Sequence, residues 1–165
     1  MTQAGQMRKF ALRDVDPDFI KELEASEFFG AFRGCYACGT CTAGCPVHRV
    51  NSSYNPLRIM RMLVFGMREE LLKGEMIWLC SDCYTCQENC PMEVKITDII
   101  NHLKNLATRE NNIPIGVSTQ KKLLKDQGKI YIIDEFDNKK RSKVGLPSLP
   151  EMGEEAKRLL KVRQS

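Results

Sequence analysis

The stretch "CYACGTCTAGCPV", residues 35–47, sets four cysteines at C-x2-C-x2-C-x3-C and follows the last at once with proline. The stretch "CSDCYTCQENCPMEV", residues 80–94, repeats that spacing. Cys35, Cys38, Cys41 and Cys45 recur 45 positions later as Cys80, Cys83, Cys86 and Cys90, and no other cysteine exists among the 8. Thr40 and Thr85 match in the same register, as do Pro46 and Pro91, and little else does. The repeat therefore sits in the two loops, as expected for a site of approximate two-fold symmetry.

The spacing has a chemical reason. A [4Fe–4S] cube needs four thiolates converging from different directions, and three cysteines two residues apart wrap a loop around one side of it. The fourth, before proline, does not easily reach the same cube and in two-cluster proteins ligates the other one. The expected ligand sets are Cys35, Cys38, Cys41 and Cys90 for the first cluster, and Cys80, Cys83, Cys86 and Cys45 for the second. Pro46 and Pro91 turn the chain away. Gly39 lets the first loop approach without a side chain, and the hydroxyls of Thr40 and Thr85 are candidate donors to cluster sulfurs. Two all-thiolate zinc sites are the alternative, although those sites space C-x2–4-C pairs apart, without a third cysteine or the terminal Cys-Pro. His48 and His102 read as surface or supporting groups, because the thiolates already fill every ligand position.

Composition agrees. The chain has 165 residues, 42% hydrophobic and 28% charged, which suits one domain with tails and a modest core. No apolar run approaches the roughly 18 residues of a membrane span; "IMRMLVFGM" is short and broken by Arg61. The opening residues have no apolar stretch of the secretory type. A cytoplasmic protein is expected, and there clustered cysteines serve metal or redox chemistry rather than disulfides. The formal charge of +4 reads as a solvated surface and not as a nucleic-acid site. Two oxidised clusters, at about −2 each with their thiolates, would bring the loaded protein near neutrality.

Helical patterns surround both loops. Asp16 and Pro17 open a helix that should run to about Gly30, with Phe19, Ile20 and Leu23 inward. Asn55 and Pro56 open the next, with Leu57, Met60, Leu63 and Val64 on one face and Arg58, Arg61 and Arg68 in solvent. Met60, Met62 and Met67 read as core filling, and Trp78 as a core residue beside the second loop. Thr97 or Asp98 should cap a helix with Ile99, Ile100, Leu103 and Leu106 inward. A shorter helix should end at Gly128, and "KIYII" reads as a short strand or an extended docking segment. The charged stretch after it reads as a linker, and a basic helix closes the chain. The expected fold is all-α: an alpha-helical ferredoxin-like domain around two [4Fe–4S] clusters, with extended terminal segments. Its divisions are an arm at 1–15, the two-cluster domain at 16–128 and a C-terminal docking segment at 129–165.

With these motifs in place the chain resembles the small, C-type iron–sulfur subunit of heterodisulfide reductase, the complex that reduces the mixed disulfide of coenzyme M and coenzyme B in methanogenic archaea. The resemblance runs from about Phe28 to Arg109, through both cysteine stretches, "NPLRIMRMLVFG" and "VKITDIINHLK", and more weakly through "GLPSLPEM". It implies an electron-transfer subunit of a hetero-oligomeric oxidoreductase, with no substrate-converting site of its own. Electrons would pass from a heterodisulfide reductase A-like flavoprotein to a B-like catalytic partner. The Cys-Cys-Gly motifs of that catalytic partner are missing here, as are the first cysteine set of a succinate dehydrogenase subunit and any Gly-rich nucleotide fingerprint. A diffusible ferredoxin-like carrier, the iron–sulfur subunit of another anaerobic dehydrogenase or reductase, and a zinc-bound adaptor stand as alternatives. Protein purified without oxygen should be brown and hold iron and acid-labile sulfide in equal amounts; a colourless protein with stoichiometric zinc would sink the redox reading.

Overall fold

Asp16 starts the first helix, α1 (Pro17–Glu24), by accepting hydrogen bonds from the N–H groups of Asp18 and Phe19, both at 3.0 Å. Pro17 takes the first helical position, where its missing N–H is no loss. The structure, a computed structural model, describes residues 14–25, 32–149 and 158–159. Residues 1–13 of the expected arm and most of the closing basic helix lie outside them. α1 ends at Glu24, earlier than the sequence suggests, and buries Phe19 and Leu23.

The described chain divides into two compact units, Met1–Asn112 and Ile113–Ser165. The first holds both cysteine loops. Its helices after α1 are α2 (Thr40–Ala43), α3 (Pro46–Val50), α4 (Pro56–Val64), α5 (Arg68–Leu72), α6 (Thr85–Glu88) and α7 (Ile96–Arg109). Five of them form a closed circuit of contacts: α2 packs on α4, α4 on α5, α5 on α7, α7 on α6, and α6 back on α2. The core inside is Phe32, Tyr54, Ile59, Met60, Leu63, Met67, Leu71, Ile77, Val94, Ile99, Ile100 and Leu103, all buried.

Asn55 caps α4 as expected, accepting from the Arg58 N–H at 3.0 Å, with Pro56 at the first position. The buried face of α4 is Ile59, Met60, Met62 and Leu63, while Val64 is 44% exposed. The inward stripe is thus rotated from the expected one, because Met62 turns in and Val64 turns out. Arg68 is not in open solvent. It bridges Glu22 and Glu110, at 2.7 and 2.5 Å, and lies over the Phe19 ring. Trp78 is half-buried at the edge of the core. α7 starts at Ile96 without a side-chain cap; Thr97 and Asp98 are inside its first turn, where their side chains meet the second cysteine loop.

The second unit contains α8 (Ile115–Gln127) and α9 (Glu135–Lys143). α8, expected with the cluster domain, has no buried residue among those described and belongs to this unit. It ends at Gly128, as expected. Residues 129–133 form no strand. α9 occupies the stretch read as a linker. Asp134 caps it by accepting from the Asp137 N–H at 2.9 Å. Acidic Glu135 and Asp137 stand in its first turn and Lys140, Arg141 and Lys143 in its last, matching the helix dipole. Charge and capping make this helix without an apolar stripe, which is why its pattern is that of a linker. Among the described residues no helix is long and apolar enough to cross a membrane.

Gly66 joins α4 to α5 at φ 63°, a left-handed conformation, and its carbonyl accepts from the Asp16 N–H at 2.9 Å. A Cβ there would lie 2.8 Å from the Asp16 carbonyl oxygen and 2.9 Å from Ile20. Gly66→Ala should therefore destabilise the first unit by about 1–3 kcal/mol, on the order of 10 °C in the unfolding midpoint followed by helical circular dichroism.

Candidate metal centres

Each cysteine loop is built the same way. A 3-10 turn, Phe32–Gly34 or Met76–Leu79, leads in. The first cysteine N–H closes on it, Cys35 to the Phe32 carbonyl at 3.1 Å and Cys80 to the Ile77 carbonyl at 3.4 Å. Two left-handed residues come next, Ala37 and Gly39 in the first loop, Asp82 and Tyr84 in the second, with φ between 54° and 85°. Gly39 therefore supplies a left-handed turn, and Tyr84 adopts the same turn at a steric penalty. The loop then enters α2 or α6, which bring Cys41 and Cys86 to the core at 7% exposure each. Cys38 and Cys83 are exposed, and Cys35 and Cys80 are intermediate.

The fourth cysteines cap the segments that lead away from the loops. Cys45 Sγ accepts from the His48 N–H and Cys90 Sγ from the Val94 N–H, both at 3.4 Å. The His48 ring braces this turn, its Nδ1–H donating to the Tyr54 carbonyl at 2.7 Å. Burial holds the His102 imidazole below its ordinary value.

Hydroxyl groups tune the thiols. Thr40 Oγ1 lies 3.3 Å from Cys38 Sγ and holds that thiol below its usual range. Thr85 does the same for Cys83. Burial pushes the Cys41 thiol up, and pushes Cys86 to about 11 although Thr97 Oγ1 stands 3.4 Å from it. Tyr36 hydrogen-bonds Cys38 and lies near Cys90; these two raise its phenol. Tyr54 is 1% exposed, and its phenol is raised by burial and by a hydrogen bond to Cys80, with Cys45 and Cys86 close by.

Two side chains clamp the loops to the next helices. Thr42 Oγ1 donates to Asn55 Oδ1 at 2.8 Å and accepts from the Leu57 N–H at 3.3 Å. At the matching place Gln87 Nε2 donates to Asp98 Oδ2 at 3.0 Å, and Gln87 Oε1 accepts from the Asp98 N–H at 3.4 Å. The repeat is therefore longer than the cysteines reveal. Cys45 to Asn55 is five residues longer than Cys90 to Lys95, and α3 fills the excess. Beyond it α4 and α7 align at an offset of 40, with Ile59 on Ile99, Met60 on Ile100 and Leu63 on Leu103, all buried. A self-comparison allowing that insertion is the signal that exposes Tyr54, Thr97, Thr42 and Gln87.

Eight thiols on paired loops, with hydroxyl donors aimed at their sulfurs, suit two thiolate-ligated iron–sulfur cubes. Comparison with known proteins agrees. Residues 31–94 match the 4Fe-4S dicluster domain family. The C-type iron-sulfur subunit of the CoB–CoM heterodisulfide reductase of Methanopyrus kandleri is 32% identical over 165 residues, covering 92% of this chain and 85% of that protein. The chain belongs to the family of C-type iron–sulfur subunits of heterodisulfide reductase. The corresponding subunit of the Methanosarcina mazei ferredoxin:CoB-CoM heterodisulfide reductase is 38% identical over 117 residues, 71% of each chain. One from Methanocaldococcus jannaschii is 35% identical over 117 residues, 67% of this chain and 62% of the other. Membership establishes two [4Fe–4S] clusters as the cofactors, a number with which eight cysteines are consistent, and the dicluster domain fits an electron-transfer role.

The thiol environments set an order of reactivity in protein stripped of its clusters. Cys38 and Cys83, exposed and lowered, carry more thiolate at neutral pH and should alkylate first. Cys86 gains thiolate only as pH rises toward 11 and should alkylate among the last. Thr40→Val removes the donor, returns Cys38 toward its ordinary value and should slow its alkylation at pH 7 several-fold, read by peptide mass mapping.

Proposed function

We propose that this chain relays electrons within a heterodisulfide reductase-type complex, from a flavin-bearing, A-like subunit to a catalytic, disulfide-reducing B-like subunit. The observation that carries this reading is the packing of α2 against α6, with one cysteine loop on each, inside a single core. That packing gives two cofactor sites a common, water-poor interior between two open edges, at Cys38 and at Cys83. As a member of this family, the chain works in a hetero-oligomeric assembly.

Cys35, Cys38, Cys41 and Cys90 hold the first cluster, and Cys80, Cys83, Cys86 and Cys45 the second. The nearness of Cys90 to Tyr36, and of both Cys45 and Cys80 to Tyr54, supports this crossed wiring. The clusters, when bound, supply one-electron storage. The chain's own residues orient the thiolates through the left-handed turns, neutralise them with hydroxyl donors, and exclude water behind Phe32, Ile77 and Tyr54. No side chain here is assigned to substrate. The segment from 129 onward offers exposed Ile130, Tyr131, Ile132 and Phe136 for docking a neighbouring subunit.

Two measurements test the reading. Cluster-loaded, reduced protein should pass electrons to a reconstituted B-like subunit, and no transfer would overturn the relay. Cys35→Ser and Cys90→Ser should perturb one and the same electron paramagnetic resonance signal, and Cys80→Ser and Cys45→Ser the other. If Cys90→Ser instead alters the signal that Cys80→Ser alters, the wiring is uncrossed.

A further inference from the structure

The two loops share most of their donors. Thr40 and Thr85 serve Cys38 and Cys83 alike, and so do Tyr36 and Ser81, which match at the offset of 45. The three cysteines of each loop are also matched in exposure, pair by pair. These features act in the same direction on both sites.

Three matched positions beyond the loops carry a polar group at the second site and an apolar one at the first. Tyr54, buried, has its phenol beside Cys80, whereas its counterpart Val94 is buried and carries no hydroxyl. Thr97, 1% exposed, directs its hydroxyl to Cys86 at 3.4 Å, whereas its counterpart is Leu57. Thr42 does not replace it at Cys41, because its Oγ1 is 4.0 Å from that sulfur and its proton is committed to Asn55. Lys104 donates to the Cys80 carbonyl at 3.4 Å and pairs with Asp82 at 3.2 Å. At the first loop Val64 and Ala37 stand in those places, in a recess of about 290 Å³ that Cys35, Tyr36 and Arg61 also line.

We propose that Tyr54 and Thr97 make the Cys80–Cys83–Cys86 site the electron acceptor of the pair, through hydrogen bonds to its thiolates that the Cys35–Cys38–Cys41 site lacks. An added electron increases the negative charge on the cluster sulfurs, so a donor to them favours the reduced state over the oxidised one and raises the potential. The Lys104 ammonium acts in the same sense, offset by its Asp82 partner and by the Arg61 guanidinium beside the first loop. Tyr54 and Thr97 are positioning residues, touching ligands and not substrate. The inference rests on the two-cluster reading but not on the crossing of Cys45 and Cys90, since the three donors adjoin the second loop itself.

The experiment is an anaerobic redox titration of the cluster-loaded protein, followed by electron paramagnetic resonance. The unaltered chain should show two separate midpoints. Tyr54→Phe and Thr97→Val should each lower the higher midpoint and leave the lower one in place. Together they should reduce the electron's preference for the second site by roughly tenfold, 59 mV for a one-electron couple. Thr97→Val keeps the side-chain shape, so it decides the matter should Tyr54→Phe lose clusters. Midpoints unmoved in Thr97→Val, or a shift of the lower midpoint, would overturn the proposal. A loaded chain with no iron–sulfur signal would overturn the two-cluster reading itself, before any midpoint is measured.

Discussion

Two side-chain clamps, Thr42 on Asn55 and Leu57 and Gln87 on Asp98, fix each cysteine loop to the start of the next long helix. Without them the short helices α2 and α6, four residues each, have too few internal hydrogen bonds to hold a position. With them each loop becomes an extension of α4 or α7, whose buried faces are anchored in the core. The contact of α2 with α6 then joins the two halves, and α5 closes the circuit on the far side. The location of the thiols is thus inherited from helix packing, through a few polar contacts.

Local chemistry is legible in the sequence. The Asp16–Pro17 and Asn55–Pro56 starts, the Gly128 stop and the buried methionines all follow from rules acting within one or two turns. The paired cysteine loops follow from the demands of a cube. What escapes a sequence reading is long-range or masked. Thr97 and Asp98 have the composition of a cap, but Cys86 and Gln87 occupy their side chains from eleven residues away. The inward face of α4 is ambiguous at Met62 and Val64, because both are apolar and only the neighbouring helices decide which turns in. α9 has the pattern of a linker because a helix held by its cap and its charge order leaves no hydrophobic period. Arg68 reads as a surface cation because its partners, Glu22 and Glu110, are 46 and 42 positions away.

The two cysteine loops keep a two-fold plan that the residues behind them do not. The ligands and their nearest donors are copied faithfully, so they specify what is bound. The residues behind them, Tyr54, Thr97 and Lys104 against Val94, Leu57 and Val64, have diverged. An electron path needs two stops that accept the same cofactor and yet differ in energy. Changing the surroundings while keeping the thiolates is the route that disturbs binding least.

Four left-handed residues are distributed over the two loops, and three of them, Ala37, Asp82 and Tyr84, carry a Cβ. Each such residue costs roughly 1–2 kcal/mol over an ordinary conformation. Metal–sulfur bonds offset that amount easily; an empty loop has nothing of comparable strength to do so. Cluster binding would therefore hold turns that helix packing and the side-chain clamps leave strained. Cofactor supply would then govern the abundance of the mature subunit, with chains that miss their clusters offering strained loops to proteolysis.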